Sequence, residues 1–333
     1  MNLFVTGGAG FIGSNFVRLA LAKGHSVLNY DALTYAGNLA NLNDLSHSAN
    51  YCFVKGNILD AKLVRQKFKD GFSGRQFDVC INFAAESHVD RSIEAARVFA
   101  ETNVLGAVIL LEEARAASVP MFVQVSTDEV YGSASDQEKF DRTSQLNPSN
   151  PYAASKAAAD LLAQSFQNTH GYDVRITRCT NNFGRFQNPE KFIPTIITSA
   201  LRGLSIPVYG DGQQVRDWIF VDDHCEGILA VISRGNPGGV YLFGGSTEVR
   251  NLDLAHAVLS AIAIARRSPE HALDHLIEHV TDRLGHDRRY AMDWSSSEAE
   301  LGWKPKTDFE ESLQSTVNWY IENQVWWEKL LTK

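Results

Sequence analysis

The chain has 333 residues, 44% of them hydrophobic, which is enough for one large domain or two moderate ones with an ordinary core. Its 31 Lys and Arg stand against 39 Asp and Glu, a formal charge of −8 that argues against nucleic acid or an anionic membrane as the main partner and requires any phosphate site to be locally basic. No stretch reaches the roughly 18 uninterrupted apolar residues of a membrane span, and Met1-Asn2-Leu3-Phe4-Val5 lacks the basic opening of a leader, so a cytoplasmic protein is expected.

In chain order, residues 3–6, 26–30, 51–54, 79–83 and 121–125 are short apolar runs of the kind that form buried strands. Between them, residues 15–22 and 97–117 carry apolar side chains at helical spacing. This alternation predicts an α/β fold with a parallel sheet covered on both faces. It continues through residues 174–177 and becomes irregular after Asn181, where a second, smaller region begins. Residues 218–221, the helical stretch after Asp223, and residues 240–243 are expected to return to the sheet. Cys52, Cys80, Cys179 and Cys225 lie far apart with no CxxC pair and read as reduced core residues.

Thr6-Gly7-Gly8-Ala9-Gly10-Phe11-Ile12-Gly13 follows the first strand and opens the first helix. In that setting Gly7 permits a tight turn, Gly10 lets the backbone approach a pyrophosphate and Gly13 allows close helix–strand packing, while the helix N-terminus offers free N–H groups to phosphate. Asp31 ends the second strand 18 residues after Gly13. A carboxylate there suits ribose hydroxyls and repels the extra phosphate of NADP, so the expected cofactor is NAD in a Rossmann-type, doubly wound sheet.

Tyr152 and Lys156 open a helix after Pro148 and Pro151, and their spacing puts both on one face. Tyrosine is a poor base at its reference pKa of about 10, so a neighbouring ammonium is what makes it useful near neutrality. The pair falls just after a strand ending in Ser126-Thr127.

With these elements the chain resembles the extended short-chain dehydrogenase/reductase family nearly end to end. Within it, Ser126-Thr127-Asp128-Glu129-Val130-Tyr131-Gly132 is similar to the signature of the dTDP-glucose 4,6-dehydratases, since relatives that only epimerise or decarboxylate lack the adjacent acid pair. The blocks Ala84-Ala85-Glu86-Ser87-His88-Val89-Asp90-Arg91-Ser92, Pro189-Glu190-Lys191 and Gly210-Asp211-Gly212-Gln213-Gln214-Val215-Arg216-Asp217-Trp218 are similar to the same enzymes, as are the segments at residues 31–38 and 181–184.

The resemblance implies a hydro-lyase. Tyr152 takes the proton of the sugar's 4-hydroxyl while hydride passes from C4 to NAD, Glu129 removes the C5 proton, and Asp128 protonates the leaving C6 hydroxyl. Hydride then returns to C6, giving dTDP-4-keto-6-deoxyglucose. Thr127 bonds the 4-hydroxyl and Lys156 completes the catalytic set. Two adjacent carboxyls hold different protonation states only if their surroundings push their pKa values apart.

The resemblance also places Gly7, Gly10, Phe11, Ile12, Gly13, Asp31, Asn57, Ile58 and Ala84 against NAD, together with Tyr152 and Lys156. It assigns Ser87, His88, Asn181, Lys191 and Arg216 to the sugar and diphosphate. Pro207 and Tyr209 flank the base, Asn251 contacts the nucleotide, and residues 282–286, with Arg283 and His286, close the site. A nucleoside diphosphate is doubly negative at its bridge, so Lys191, Arg216 and Arg283 are the cations an acidic protein has to gather. Three positions depart from the family pattern: Arg185 and Leu284 stand where proline is usual, and Asn57 replaces an aspartate near the adenine while still offering an amide oxygen.

The expected division is residues 1–180 and 217–245 for the NAD-binding domain, and 181–216 with 246–333 for a smaller α/β nucleotide-sugar-binding domain. His271, His275 and His279 recur at a spacing that could hold zinc, but they read as an exposed helical face with no metal. Trp319-Tyr320 and Trp326-Trp327 read as a helix packed on the second domain rather than a stacking platform for nucleic acid. The apolar faces of 97–117 and 152–170 correspond to a four-helix dimer contact in the family, so a homodimer is expected. The alternatives are the same reaction on UDP-glucose, which differs by a methyl group contributing about 1 to 3 kcal/mol, a nucleotide-sugar 4-epimerase or decarboxylase, and a protein that binds NAD without chemistry.

Overall fold

The structure, a computed structural model, describes residues 1–331. The chain opens with β1 (Asn2–Thr6), buried throughout, and passes directly into α1 (Phe11–Ala22) and β2 (Ser26–Asp31). Then come β3 (Tyr51–Lys55), α2 (Ala61–Asp70), β4 (Val79–Asn82), α3 (Val89–Glu94), α4 (Ala96–Phe99) and α5 (Gly106–Ala116). β5 (Met121–Thr127), α6 (Pro151–His170) and β6 (Asp173–Cys179) complete the first half.

Beyond these lie β7 (Asn181–Phe183), α7 (Phe192–Arg202), β8 (Ile206–Tyr209), β9 (Val215–Phe220), α8 (Val221–Arg234) and β10 (Val240–Phe243). The chain ends with β11 (Glu248–Arg250), α9 (Asn251–Arg266), β12 (Ile277–Val280), α10 (Ser295–Leu301), α11 (Phe309–Glu322) and α12 (Gln324–Leu331).

Seven strands form one sheet in the order β10-β6-β5-β4-β1-β2-β3, and every neighbouring pair is parallel. Strands covered on both faces have no solvent side to alternate towards, which is why they read as continuous apolar runs. One face packs Phe4, Phe68, Phe77 and Phe122, and the other packs Val5, Phe16, Ile81 and Ile228. Local signals set the catalytic helix α6: Asn150 caps it through Ala153 N at 2.9 Å, Pro151 occupies its first turn, and Gly171 ends it in the left-handed region. A second core gathers Ile196, Trp218, Leu254, Val258, Val317 and Trp327 from α7, β9, α9, α11 and α12.

Four expectations are corrected. The helix over 97–117 is interrupted by a π-helical turn at Ala100–Leu105. The wide turn carries buried Asn103, whose amide bonds both Glu86 N and Glu86 O, at 2.8 and 3.0 Å, and also Ser155 Oγ at 2.8 Å. Residues 218–220 do not rejoin the large sheet: β9 lies in a separate three-stranded sheet, parallel to β7 and antiparallel to β11. Asp217 fixes that path by accepting from Gly245 N and Thr247 N, and Trp218 packs into the second core.

The stretch holding His271, His275 and His279 is not a continuous helix: His271 lies in a turn, and only His275 falls in a short 3-10 helix, Asp274–Leu276. α9 stops at Arg267, which adopts φ 53°, Pro269 follows, and His279 sits in β12, paired in parallel with β8. Among the described residues no helix is long and apolar enough to cross a membrane. The four cysteines are free, and Cys52 is only half-buried rather than in the core.

Candidate active site

Strand order reverses between β1 and β4, which leave the sheet in opposite lateral directions and open a crevice at their C-terminal ends. The main cavity lies there. It is lined by Gly7, Gly10, Phe11, Ile12 and Gly13 from the glycine turn, by Asp31, Asn57 and Ile58 beyond β2 and β3, and by Ala84 after β4.

The glycine turn has the backbone such a ligand needs. Gly7 adopts φ 66°, and a β-carbon on it would stand 2.6 Å from Ala84 N; one on Gly13 would collide with Gly7 O. Gly10 precedes α1 without a side-chain cap, so the first helical N–H groups are left for an anion. Asp31 is aimed by two backbone donors, Ala9 N to Oδ2 at 2.9 Å and Leu33 N to Oδ1 at 2.7 Å, and burial raises its pKa. A cradle that a β-carbon would fill, an open helix N-terminus and a fixed carboxylate together fit a dinucleotide with free ribose hydroxyls. Asn57 faces the cavity with its Oδ1 already accepting from Leu59 N at 2.9 Å, which leaves the second lone pair of that oxygen.

The same cavity is lined by Thr127, Asp128, Glu129, Tyr152 and Lys156. β5 delivers the first of these: its last residue, Thr127, caps the short helix at Asp128–Tyr131 by accepting from Glu129 N, and its hydroxyl donates to Asp128 Oδ1 at 3.1 Å. α6 delivers Tyr152 and, one turn on, Lys156, whose ammonium donates to Val125 O at 2.6 Å. Beneath them Arg178 pairs with Asp160 at 2.9 Å and bonds the Tyr131 hydroxyl at 2.6 Å, tying β6, α6 and the acid pair's helix together.

The two adjacent carboxyls differ. Burial, and then the charge of Glu129, hold Asp128 well above the ordinary carboxylate range. Burial raises Glu129 as well, but Arg283, Arg216 and Lys191 oppose it. Asp128 is therefore the group kept protonated and Glu129 the one returned towards ionisation. Tyr152 behaves differently from the sequence-based expectation: burial and Glu129 push the phenol well above 10, with a hydrogen bond to Thr127 acting the other way, and Glu129 rather than Lys156 is the strongest charge upon it. Without a further cation nearby the phenol stays neutral.

Six of the residues expected to hold the sugar nucleotide fall into two groups, and His88, Arg216, Asn251 and Pro207 lie outside both. Ser87, Asn181 and Lys191 line the main cavity, and Lys191 donates to Ser87 O at 3.0 Å. His88 stands 3.7 Å from Glu190. Tyr209, Arg283 and His286 form a neighbouring cluster around Asp90 and Asp282. Tyr209 donates to Asp90 at 3.4 Å, Arg283 lies 3.9 Å from Asp90, and His286 bonds Asp282 at 2.6 Å, its pKa lowered to about 4 by burial and by Arg283.

Arg216 lies over the Tyr290 ring at 4.2 Å and donates to Asp287 O and Val215 O, both at 2.8 Å. Asn251 starts α9, its N–H bonded to Gln214 O at 2.9 Å, and Pro207 is exposed on β8. Leu284 is 77% exposed at the rim. Arg185 points away from the sugar end, bonding Asn15 Oδ1 at 2.8 Å and Asp222 at 3.2 Å, so it braces α1 against α8.

Sequence reasoning passed over Asp90 and Glu190, which lie inside quoted motifs, and Trp326. Buried atoms without a hydrogen-bond partner among the described residues cluster here: Asp128 Oδ2, His88 Nδ1, Asp90 Oδ1, Glu190 Oε1 and Arg283 Nε. Such groups are costly unless a ligand completes them.

The comparisons agree with this geometry. The GDP-mannose 4,6 dehydratase family model matches residues 4–316. A dTDP-glucose 4,6-dehydratase of Xanthomonas campestris pv. campestris (strain B100) is 47% identical over 337 residues, covering 98% of this chain and 95% of that one. The crystal structure of DesIV, a dTDP-glucose 4,6-dehydratase from Streptomyces venezuelae with NAD bound, superposes with a TM-score of 0.92 at 46% identity, covering 99% of this chain and all of the other. A UDP-glucose 4-epimerase from Thermotoga maritima shares the fold at a TM-score of 0.86 but only 27% identity, over 97% of this chain and 100% of that chain. The chain belongs to the GDP-mannose 4,6 dehydratase family, and its full-length likeness within it is to the dTDP-glucose 4,6-dehydratases.

Proposed function

We propose that the protein is a hydro-lyase that converts dTDP-glucose to dTDP-4-keto-6-deoxyglucose with NAD as its cofactor. The observation that carries this is the meeting, in one cavity, of the glycine turn and Asp31 with Thr127, Asp128, Glu129 and Tyr152.

NAD, held by the glycine turn, Asp31, Tyr152 and Lys156, supplies a reversible hydride acceptor, so the overall reaction needs no outside oxidant. The chain's own groups handle the protons. Thr127 and Tyr152 hold the sugar's 4-oxygen, and Tyr152 takes its proton as C4 becomes a ketone. The phenol, held neutral by burial and by Glu129, first passes its own proton to solvent, a loss that positive charge beside it favours. The ketone acidifies the C5 hydrogen, and Glu129 removes it. Asp128, held protonated, gives its proton to the C6 oxygen as the C6–O bond breaks, and water leaves. Glu129, after exchange with solvent, gives a proton back to C5 when hydrogen is restored at C6. The turn leaves the phenol protonated and Asp128 ionised, and one proton passed through solvent from Tyr152 to Asp128 resets the site.

Lys191, Arg216 and Arg283 serve the diphosphate, and all three act electrostatically on Glu129, so the same cations that hold the substrate oppose the rise that burial imposes on the base. Ser87, His88 and Asn181 face the sugar, Pro207 and Tyr209 the base, and Asn251 and His286 the nucleotide. The working division keeps residues 1–180 and 217–245 for the cofactor and 181–216 with 246–333 for the nucleotide sugar, except that the end of β9, whose Trp218 packs into the second core, goes with the latter. We further propose a cytoplasmic homodimer. Leu105 and Leu161, 51% and 62% exposed on the helical layer formed by 96–116 and α6, are the surface that favours a second copy.

The test is to supply the purified protein with dTDP-glucose and with UDP-glucose and follow product mass. Loss of one water, faster from dTDP-glucose, supports the reading. Unchanged mass with an inverted C4, or loss of carbon dioxide from a uronic acid, would replace it with an epimerase or a decarboxylase.

A further inference from the structure

The tryptophans near the C-terminus are not absorbed by the chemistry. Trp327 is fully buried and donates its Nε1 to Tyr320 O at 2.8 Å, which fastens α12 to the end of α11. Trp326, about 100° round the helix, is only half-buried. It and Leu330, four residues on and on the same face, line the dinucleotide cavity.

Trp326 is also wired into the cradle. Its Nε1 donates to Asn41 Oδ1 at 2.9 Å, Asn41 Nδ2 donates to Ala9 O at 3.0 Å, and Ala9 N donates to Asp31 Oδ2 at 2.9 Å. Three hydrogen bonds thus run from the last helix through the glycine turn to the carboxylate that faces the ribose. Phe186, held at φ 66°, sets its ring 6.0 Å from Trp326 and lines the same cavity.

We propose that α12 is a wall of the cofactor site: Trp326 and Leu330 close the pyrophosphate and adenosine-ribose side, and cofactor release requires α12 to part from Asn41. The inference rests on the reading that the cavity holds NAD. In the proposed cycle the cofactor finishes in its starting oxidation state, so turnover never requires it to leave. Trp326 is a positioning residue, acting on the glycine turn and Asp31 through Asn41.

The experiment loads wild-type, Trp326→Ala and Trp326→Phe proteins with NAD, removes the free cofactor and follows its release, with dTDP affinity measured in parallel. The expected result is release about tenfold faster in Trp326→Ala, equivalent to ~1.4 kcal/mol, and a smaller increase in Trp326→Phe, which keeps a ring and loses the donor. dTDP affinity stays unchanged in both. In the wild-type protein NAD slows hydrogen exchange over residues 324–331, and dTDP alone does not. Unchanged release in Trp326→Ala, a fall in dTDP affinity parallel to that for NAD, or exchange over 324–331 indifferent to NAD would each overturn the proposal. A wild-type protein that binds no NAD overturns the cofactor reading itself, and is distinguished by a blank in the first measurement.

Discussion

The two ends of the cavity are built on opposite principles. At the cofactor end the polar groups satisfy one another before any ligand arrives: Asp31 accepts two backbone N–H groups, Asn41 bridges Ala9 and Trp326, and Asn57 accepts from Leu59. At the sugar end Asp128, His88, Asp90, Glu190 and Arg283 each bury an atom with no hydrogen-bond partner among the described residues. The first end is a preformed cradle. The second carries unsatisfied charge that a polar ligand can complete, and it is there that pKa values are displaced for chemistry.

If that contrast is right, damage to the sugar end removes catalysis while leaving cofactor binding and folding largely in place. The largest effect is expected from Tyr152→Phe, which removes the group that handles the 4-hydroxyl proton. Turnover should fall about a thousandfold, within the usual range for lost acid–base catalysis, with circular dichroism unchanged. Turnover within a few-fold of wild type would remove Tyr152 from the mechanism.

Glu129→Gln comes next, at about a hundredfold, and it should also abolish solvent deuterium exchange at C5. The wild-type rate falls as pH drops through the raised pKa of Glu129, because a protonated carboxyl cannot take the C5 proton. It falls again as pH rises through that of Asp128, because an ionised carboxyl cannot protonate the leaving oxygen. A Glu129→Gln profile that keeps the acid limb would assign that limb elsewhere.

Arg283→Ala should raise KM for the nucleotide sugar roughly tenfold to a hundredfold, the range for a lost charge-assisted hydrogen bond, with NAD affinity unaltered. An equal loss of both affinities would erase the distinction between the ends.

The smallest effect concerns stability. Asp128 binds its proton more tightly folded than unfolded, so between the unfolded and the raised folded pKa the native state holds the extra proton, and stability declines as pH rises through that window. Asp128→Asn should flatten this decline and melt a few degrees above wild type at mildly alkaline pH, by about 1 kcal/mol. A variant less stable at every pH would show that the carboxyl supports the fold.

The same contrast explains what could be read from the sequence. The cradle is local: Gly7, Gly10 and Gly13 sit between a strand and a helix, and Asp31 ends the next strand, so periodicity and glycine spacing expose it. The sugar end is assembled from residues near 87, 128, 190, 216 and 283, whose only common property is spatial. Their roles came from likeness to known enzymes, and Asp90 and Glu190 were passed over even inside matching motifs.

Elements shaped by distant contacts were misread. The π turn exists because Asn103 reaches Glu86, β9 leaves the main sheet because Asp217 organises the loop at Gly245, and Trp326 meets a partner 285 positions away. The histidine spacing looked helical because periodicity alone does not register the stop at Arg267 and Pro269.

The most direct test follows one hydrogen atom. dTDP-glucose deuterated at C4, turned over by the wild-type protein in ordinary water, should give a product one water lighter that carries the deuterium on C6 and a solvent hydrogen at C5. Deuterium that remains at C4, or that is lost to solvent while water is eliminated, would contradict the account.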